Sequence, residues 1–169
     1  GNKIGDMGLH ALALVLHRQV FFTILDLSRL LGGPLGRPSQ SAFQAICKAL
    51  RTNYSVRHVY FCGSHGSRSN FGEYAAYDLA QTLEANDTIH EVKLCYTSIT
   101  FMAVVRLVDA MHKVYARKYL DNTIVFSRLL RIDITGNTID NEDKVLIRQY
   151  ISDLRHRMYV NNFLIGLGL

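Results

Sequence analysis

The feature that most constrains this 169-residue chain is an apolar phrase recurring at a fixed distance behind a second one. Phe22-x-x-Leu25-x-Leu27 returns as Val56-x-x-Val59-x-Phe61, as Ile89-x-x-Val92-x-Leu94 and as Leu129-x-x-Ile132-x-Ile134. The last two apolar residues of each phrase lie two apart, the period of a strand that buries one face, so four short strands are expected. Ahead of them stand Ala11-Leu12-x-x-x-Leu16, Ala45-Ile46-x-x-x-Leu50, Leu79-x-x-x-Leu83 and Leu107-x-x-x-Met111, and Ile147-x-x-x-Ile151 follows the last. This i, i+4 spacing makes one apolar stripe on a helix. Six residues carry the chain from Leu16 to Phe22, from Leu50 to Val56 and from Leu83 to Ile89. From Met111 to Leu129 the step is 18, which predicts a 12-residue insertion near 112–127. A unit of one strand and one helix cannot bury its own apolar face, so such units must stack on one another.

Composition permits a folded domain and excludes several classes. Hydrophobic residues make up 49% and charged residues 20%, outside the range of disordered chains. The net charge of +5 is mild, and no four basic residues are consecutive, so protein ranks ahead of nucleic acid as a partner. The apolar stretches Leu9 to Leu16 and Phe163 to Leu169 fall short of the roughly 18–20 residues of a membrane helix, and no membrane role is expected. Cys47, Cys62 and Cys95 are odd in number and form no CxxC, which fits a reducing, intracellular (cytoplasmic) setting. The sequons Asn53-Tyr-Ser and Asn86-Asp-Thr come without a signal peptide and are discounted as glycan sites.

The phrase Gly1-Asn2-Lys3-Ile4-Gly5-Asp6-x-Gly8-x-x-Ala11-Leu12-x-x-x-Leu16, the strand Leu25-Asp26-Leu27-Ser28, and the echo Ile132-Asp133-Ile134-Thr135-Gly136-Asn137-x-Ile139 resemble leucine-rich repeats of the ribonuclease-inhibitor-like type. Asn2-x-Ile4, Thr97-x-Ile99 and Asn137-x-Ile139 occupy matching offsets. The resemblance implies an α/β solenoid, a horseshoe segment with parallel strands on the concave face and helices on the convex face. It also implies a non-enzymatic scaffold that binds proteins. The expected organisation is one domain, 1–169, of four to five repeats (1–23, 24–55, 56–88, 89–128 and 129–158) and a cap or tail at 159–169. The first repeat lacks its strand, so the chain is expected to start inside a repeat. Leu30 and Ser64 stand where the pattern has Asn, and Gly32 to Pro38 lengthens one loop.

Alternation along each strand sends the residues flanking the buried pair to the concave side. Three rows result: Ile24, His58, Glu91, Arg131; Asp26, Tyr60, Lys93, Asp133; and Ser28, Cys62, Cys95, Thr135. Asp26, His58, Tyr60, Glu91, Lys93, Arg131 and Asp133 are the candidate partner-binding residues, with Tyr60 and Lys93 central, because aromatic and cationic side chains concentrate at interface hot spots. The competing reading is that Lys93 and Asp133 merely neutralise each other in solvent.

Other constellations carry less. Cys62 and Cys95 sit side by side, where a disulfide or soft metal is conceivable, yet Ser28 and Thr135 share the column and small size explains it too. The histidines lack metal-ligand spacing, so no metal or cofactor is expected. Neither glycine-rich loop has the phosphate-loop spacing, and no serine sits on a nucleophile elbow, so catalysis is unsupported. Lys113, Arg117 and Lys118 form a possible basic face on the inserted segment, for an acidic protein surface or RNA, while Met111, Tyr115 and Tyr119 at i, i+4, i+8 read equally as packing. A regulator of a small GTPase is the main alternative, because similar repeats occur in GTPase-activating proteins for Ran. No residue here matches a catalytic-assist position.

Overall fold

A computed structural model describes residues 4–18, 21–29, 38–65, 72–120, 131–158 and 164–166, and of 115–120, 154–158 and 164–166 the backbone alone. The chain alternates helix and strand: α1 Asp6–His17, β1 Ile24–Asp26, α2 Gln40–Thr52, β2 His58–Tyr60, α3 Gly72–Ala85, β3 Glu91–Lys93, α4 Phe101–Leu120, β4 Arg131–Asp133, α5 Asn141–Met158 and β5 Leu164–Gly166. The strands make one parallel sheet in chain order, β1-β2-β3-β4-β5. Each helix also packs on the next one in sequence. The class is therefore α/β, a parallel sheet with helices.

The apolar phrases are the core. Leu25, Leu27, Val59, Phe61, Val92, Leu94, Ile132 and Ile134 from the strand phrases are buried in one cluster with Leu16, Ile46, Leu50, Leu79, Leu83, Leu107, Met111, Ile147 and Ile151 from the helices. Both stripes are thus spent on each other, and the remaining strand residues face away from the core. That outward surface is called the open face below.

Helix starts are set locally. The Ser39 hydroxyl accepts from Ala42 N at 3.2 Å, Thr100 from Ala103 N at 3.2 Å and Asp140 from Asp143 N at 2.7 Å, satisfying amides that have no partner inside the helix. The predicted insertion begins as helix: α4 runs to Leu120, and residues 121–130 lie outside the described residues.

A fifth strand corrects the expected four. Leu164–Gly166, in the segment expected to cap or dock, pairs with β4 with Ile132 opposite Ile165. The remainder of the tail, 159–163 and 167–169, lies outside the described residues, as do Asn2, Leu30, Leu129 and the glycine-rich stretches 32–37 and 66–70.

Candidate functional site

The register of the sheet places the open-face side chains in rows. Ile24, His58, Glu91 and Arg131 are Cα partners in succession, and so are Asp26, Tyr60, Lys93 and Asp133. These are the rows read from the alternation. The ladder continues past the strand ends through Leu27 N to Tyr60 O, Phe61 N to Lys93 O and Leu94 N to Asp133 O, at 2.7 to 2.9 Å.

Glu91 is the hub of this face. Its Oε2 accepts from the Tyr60 hydroxyl at 2.9 Å and lies 3.3 Å from His58 Nδ1 and 3.7 Å from Lys93 Nζ. Its Oε1 is 3.9 Å from Arg131 NH1. Lys93 Nζ also stands over the Tyr60 ring, 4.5 Å from its centroid, a cation–π contact. One carboxylate therefore collects groups from β2, β3 and β4. Lys93 turns to Glu91 and Tyr60, where the competing reading paired it with Asp133. Asp133 instead accepts from Thr135 N at 3.0 Å and Thr135 Oγ1 at 2.6 Å, and Asp26 accepts from Ser28 N at 2.9 Å. At both ends of the row an aspartate closes the turn after its strand.

Partial burial acts to raise the Glu91 pKa. The Tyr60 hydrogen bond, the Lys93 charge, the His58 contact and the Arg131 charge outweigh it and hold the carboxyl below its ordinary 4.5. A carboxyl depressed in the folded state stabilises above its ordinary value, and that contribution is lost as pH falls through the folded value. Urea unfolding from pH 6 down to about pH 3 is expected to show a steeper loss of stability for the wild type than for Glu91→Gln. Parallel curves would remove the hub.

The third row holds the thiols. Cys62 and Cys95 are half-buried just beyond the ends of the neighbouring strands β2 and β3, whereas Cys47 is fully buried in α2, where loss of solvent pushes its thiol up to about 12. The basic face is partly spent: Lys113 pairs with Glu84 at 2.8 Å, and the side chains of Arg117 and Lys118 lie outside the described residues. Among the described residues, no group of three or more His, Cys, Asp or Glu is placed to hold a metal, and no helix is long and apolar enough to cross a membrane.

Behind the sheet is an amide ladder that sequence reasoning missed. Asn53 and Asn86, each the residue after its helix, are buried. Asn53 Nδ2 donates to Leu16 O at 2.8 Å, and its Oδ1 accepts from Ser55 N, Ser55 Oγ and Val56 N at 2.9, 3.0 and 2.8 Å. Asn86 Nδ2 donates to Leu50 O and Asn53 O at 2.6 and 2.8 Å, and its Oδ1 accepts from Thr88 N, Thr88 Oγ1 and Ile89 N at 2.7, 3.0 and 2.8 Å. The two sequons are thus a repeated internal turn, whose amide nitrogens are engaged. Beyond β4, Asn137 does similar work, donating to Leu94 O and Ile134 O at 2.7 Å and accepting from Thr97 N at 2.8 Å and Ile99 N at 3.2 Å.

The fold and its polar open face define a class, an α/β parallel sheet built from repeated strand and helix units. No family model matches the chain, and no curated protein matches its sequence. Among solved structures it is similar to the actin-binding site 2 of leiomodin-1, with a TM-score of 0.61 and 13% identity over 90% of this chain and 74% of that one. The likeness is one of fold.

Proposed function

We propose that this chain is a leucine-rich-repeat solenoid of four to five repeats, and a non-enzymatic scaffold that docks a partner polypeptide on its open sheet face. The observation that carries the reading is the set of side chains gathered on Glu91. Tyr60, Lys93, His58 and Arg131 come from three strands, are held in place by one carboxylate, and remain in part solvent-accessible. Binding costs side-chain entropy, and groups already ordered lose less of it on association. Tyr and Arg are also the side chains that dominate interface hot spots. Asp26 and Asp133 flank the cluster with negative charge, so a partner segment carrying both an acidic or carbonyl-rich centre and basic flanks suits the face.

Actin, the partner in the name of the leiomodin-1 site, is the first probe. In titration calorimetry with monomeric actin, Tyr60→Ala/Lys93→Ala is expected to weaken binding by at least about tenfold relative to wild type, the loss of one hot-spot pair. Unchanged affinity in the double variant overturns the open face as the docking site. Absence of wild-type binding removes actin as the partner.

A further inference from the structure

Two of the three cysteines stand where the sheet brings them together, and nothing in the docking face uses them. The ladder continues past β2 and β3 through Gly63 N to Cys95 O at 2.9 Å, so Cys62 and Cys95 are in register one step beyond Tyr60 and Lys93. Adjacent strands lie about 4.8 Å apart, inside the roughly 4.4–6.8 Å span of Cα atoms joined by a disulfide. Both side chains leave the sheet on its open face, and both are half-buried, so a small reagent reaches them. The Cys95 thiol donates to Asp133 O at 4.0 Å.

We propose that Cys62 and Cys95 form a redox-active dithiol that low-molecular-weight disulfides convert reversibly into an intramolecular disulfide, with Cys62 as the attacking sulfur. The proposal stands whether or not the face docks a partner. In the first step the Cys62 thiolate attacks one sulfur of the disulfide. The S–S bond of the reagent breaks, one thiolate leaves, and Cys62 carries a mixed disulfide. In the second step Cys95 gives up its proton and attacks the Cys62 sulfur, releasing the other thiolate. Two protein thiols are oxidised, one reagent disulfide is reduced to two thiols, and the protons lost by the cysteines end on them.

Geometry divides these roles: the Cys95 thiol spends its proton on Asp133 O, which keeps that sulfur protonated and leaves Cys62 as the attacker. The neighbouring Cys95 side chain, with the Cys95 backbone and the Ser28 hydroxyl, outweighs burial and the nearby Asp133 charge and lowers Cys62 to about 7. A thiol poised near ambient pH is the best attacker in exchange. Cys95 moves the other way, because the neighbouring Cys62 side chain and its own burial favour the protonated form, so it serves as the second, resolving thiol. Cys47, in the core, stays out of the exchange. Small size alone explains a small column, as Ser28 and Thr135 show, but only at this pair does the register set two sulfurs side by side, one of them donating to a backbone carbonyl. Half-exposed disulfides are the labile kind, which fits a reversible bond.

The test incubates the purified full chain with oxidised glutathione at neutral pH, alkylates under denaturing conditions and maps the peptides by mass. The expected result is loss of two alkylatable thiols, a Cys62–Cys95 linked peptide, a free Cys47, and full reversal by dithiothreitol. Cys95→Ser is expected to stop at the glutathione adduct on Cys62, and Cys62→Ser to leave Cys95 unmodified. Serine already occupies this column at Ser28, so both variants keep the packing, and thermal melting verifies that they fold. The proposal is overturned if the wild type keeps three alkylatable thiols, accumulates the mixed disulfide without resolving it, or links through Cys47 or between chains. Modification of Cys95 at an undiminished rate in Cys62→Ser overturns the assignment of the attacker.

Discussion

Asn86→Ala is expected to destabilise the chain by about 3–5 kcal/mol, because it removes one side chain that serves both ends of a buried turn. Without the amide oxygen, Thr88 N and Ile89 N lose their partner just where the chain enters β3. Without the amide nitrogen, Leu50 O and Asn53 O lose a donor at the end of α2. The site is buried, so water does not replace these bonds, and each unsatisfied buried group costs about 1–3 kcal/mol. Asn53 O keeps a bond from Thr88 Oγ1 at 3.1 Å, which holds the total below the sum of four losses. Asn53→Ala is expected to act alike through Leu16 O, Ser55 N and Val56 N. At about 2–4 °C per kcal/mol for a chain of this size, each variant should melt roughly 10 °C lower. Lys48→Ala, on the exposed side of α2, should shift stability by less than about 0.5 kcal/mol. Urea denaturation of the three variants decides it, and a cost under about 1 kcal/mol at Asn86 would show the amide to be dispensable.

That ladder marks where the sequence was readable and where it was not. Strands and helices follow from the apolar phrases because period two and period 3.6 each leave only one face to bury. The open-face rows follow too: once Val59, Val92 and Ile132 face the core, their neighbours must face away, and a parallel register sets them side by side. Asn53 and Asn86 were hidden by their own chemistry, since Asn-x-Ser/Thr also spells a glycan acceptor. The available signal was their 33-residue separation, one repeat, with a hydroxyl two residues on each time. Glu91 was legible as a member of a row and not as its hub, because a row assigns neighbours directly opposite. Its bond to Tyr60 runs diagonally, across a strand and along it, which long side chains reach. The strand β5 was missed because Leu164-Ile165-Gly166-Leu167 is apolar without alternation, and Asn162 stands where the strand phrase has its first apolar residue.

Gly136→Ala is expected to cost about 2–5 kcal/mol, and a double-mutant cycle with Tyr96 separates its two causes. The third residue after β1, β3 and β4 takes a left-handed conformation: Arg29 at φ 65°, Tyr96 at φ 54° and Gly136 at φ 75°. Arg29 and Tyr96 show that the turn accepts a side chain there, so the backbone part of the penalty is the ordinary one, about 1–2 kcal/mol. Gly136 has a second reason to be glycine. A Cβ on it would lie 2.3, 2.4 and 2.6 Å from Cε1, Cδ1 and Cζ of the Tyr96 ring, far inside contact distance. The ring is braced edge-on against His65, 5.9 Å between centroids, so moving it breaks another packing contact. Overpacking of this kind costs about 1–3 kcal/mol. In a Tyr96→Ala background the steric part disappears and only the backbone part remains, so the cycle should show a coupling of about 1–3 kcal/mol. Additive costs would mean that the ring yields freely and that conformation alone selects glycine. The consequence reaches the open face, because Tyr96 N donates to Thr135 O at 3.0 Å and Thr135 holds Asp133 in its turn. Displacing the Tyr96 ring therefore loosens the strand ends that set the Glu91 cluster and the Cys62–Cys95 pair.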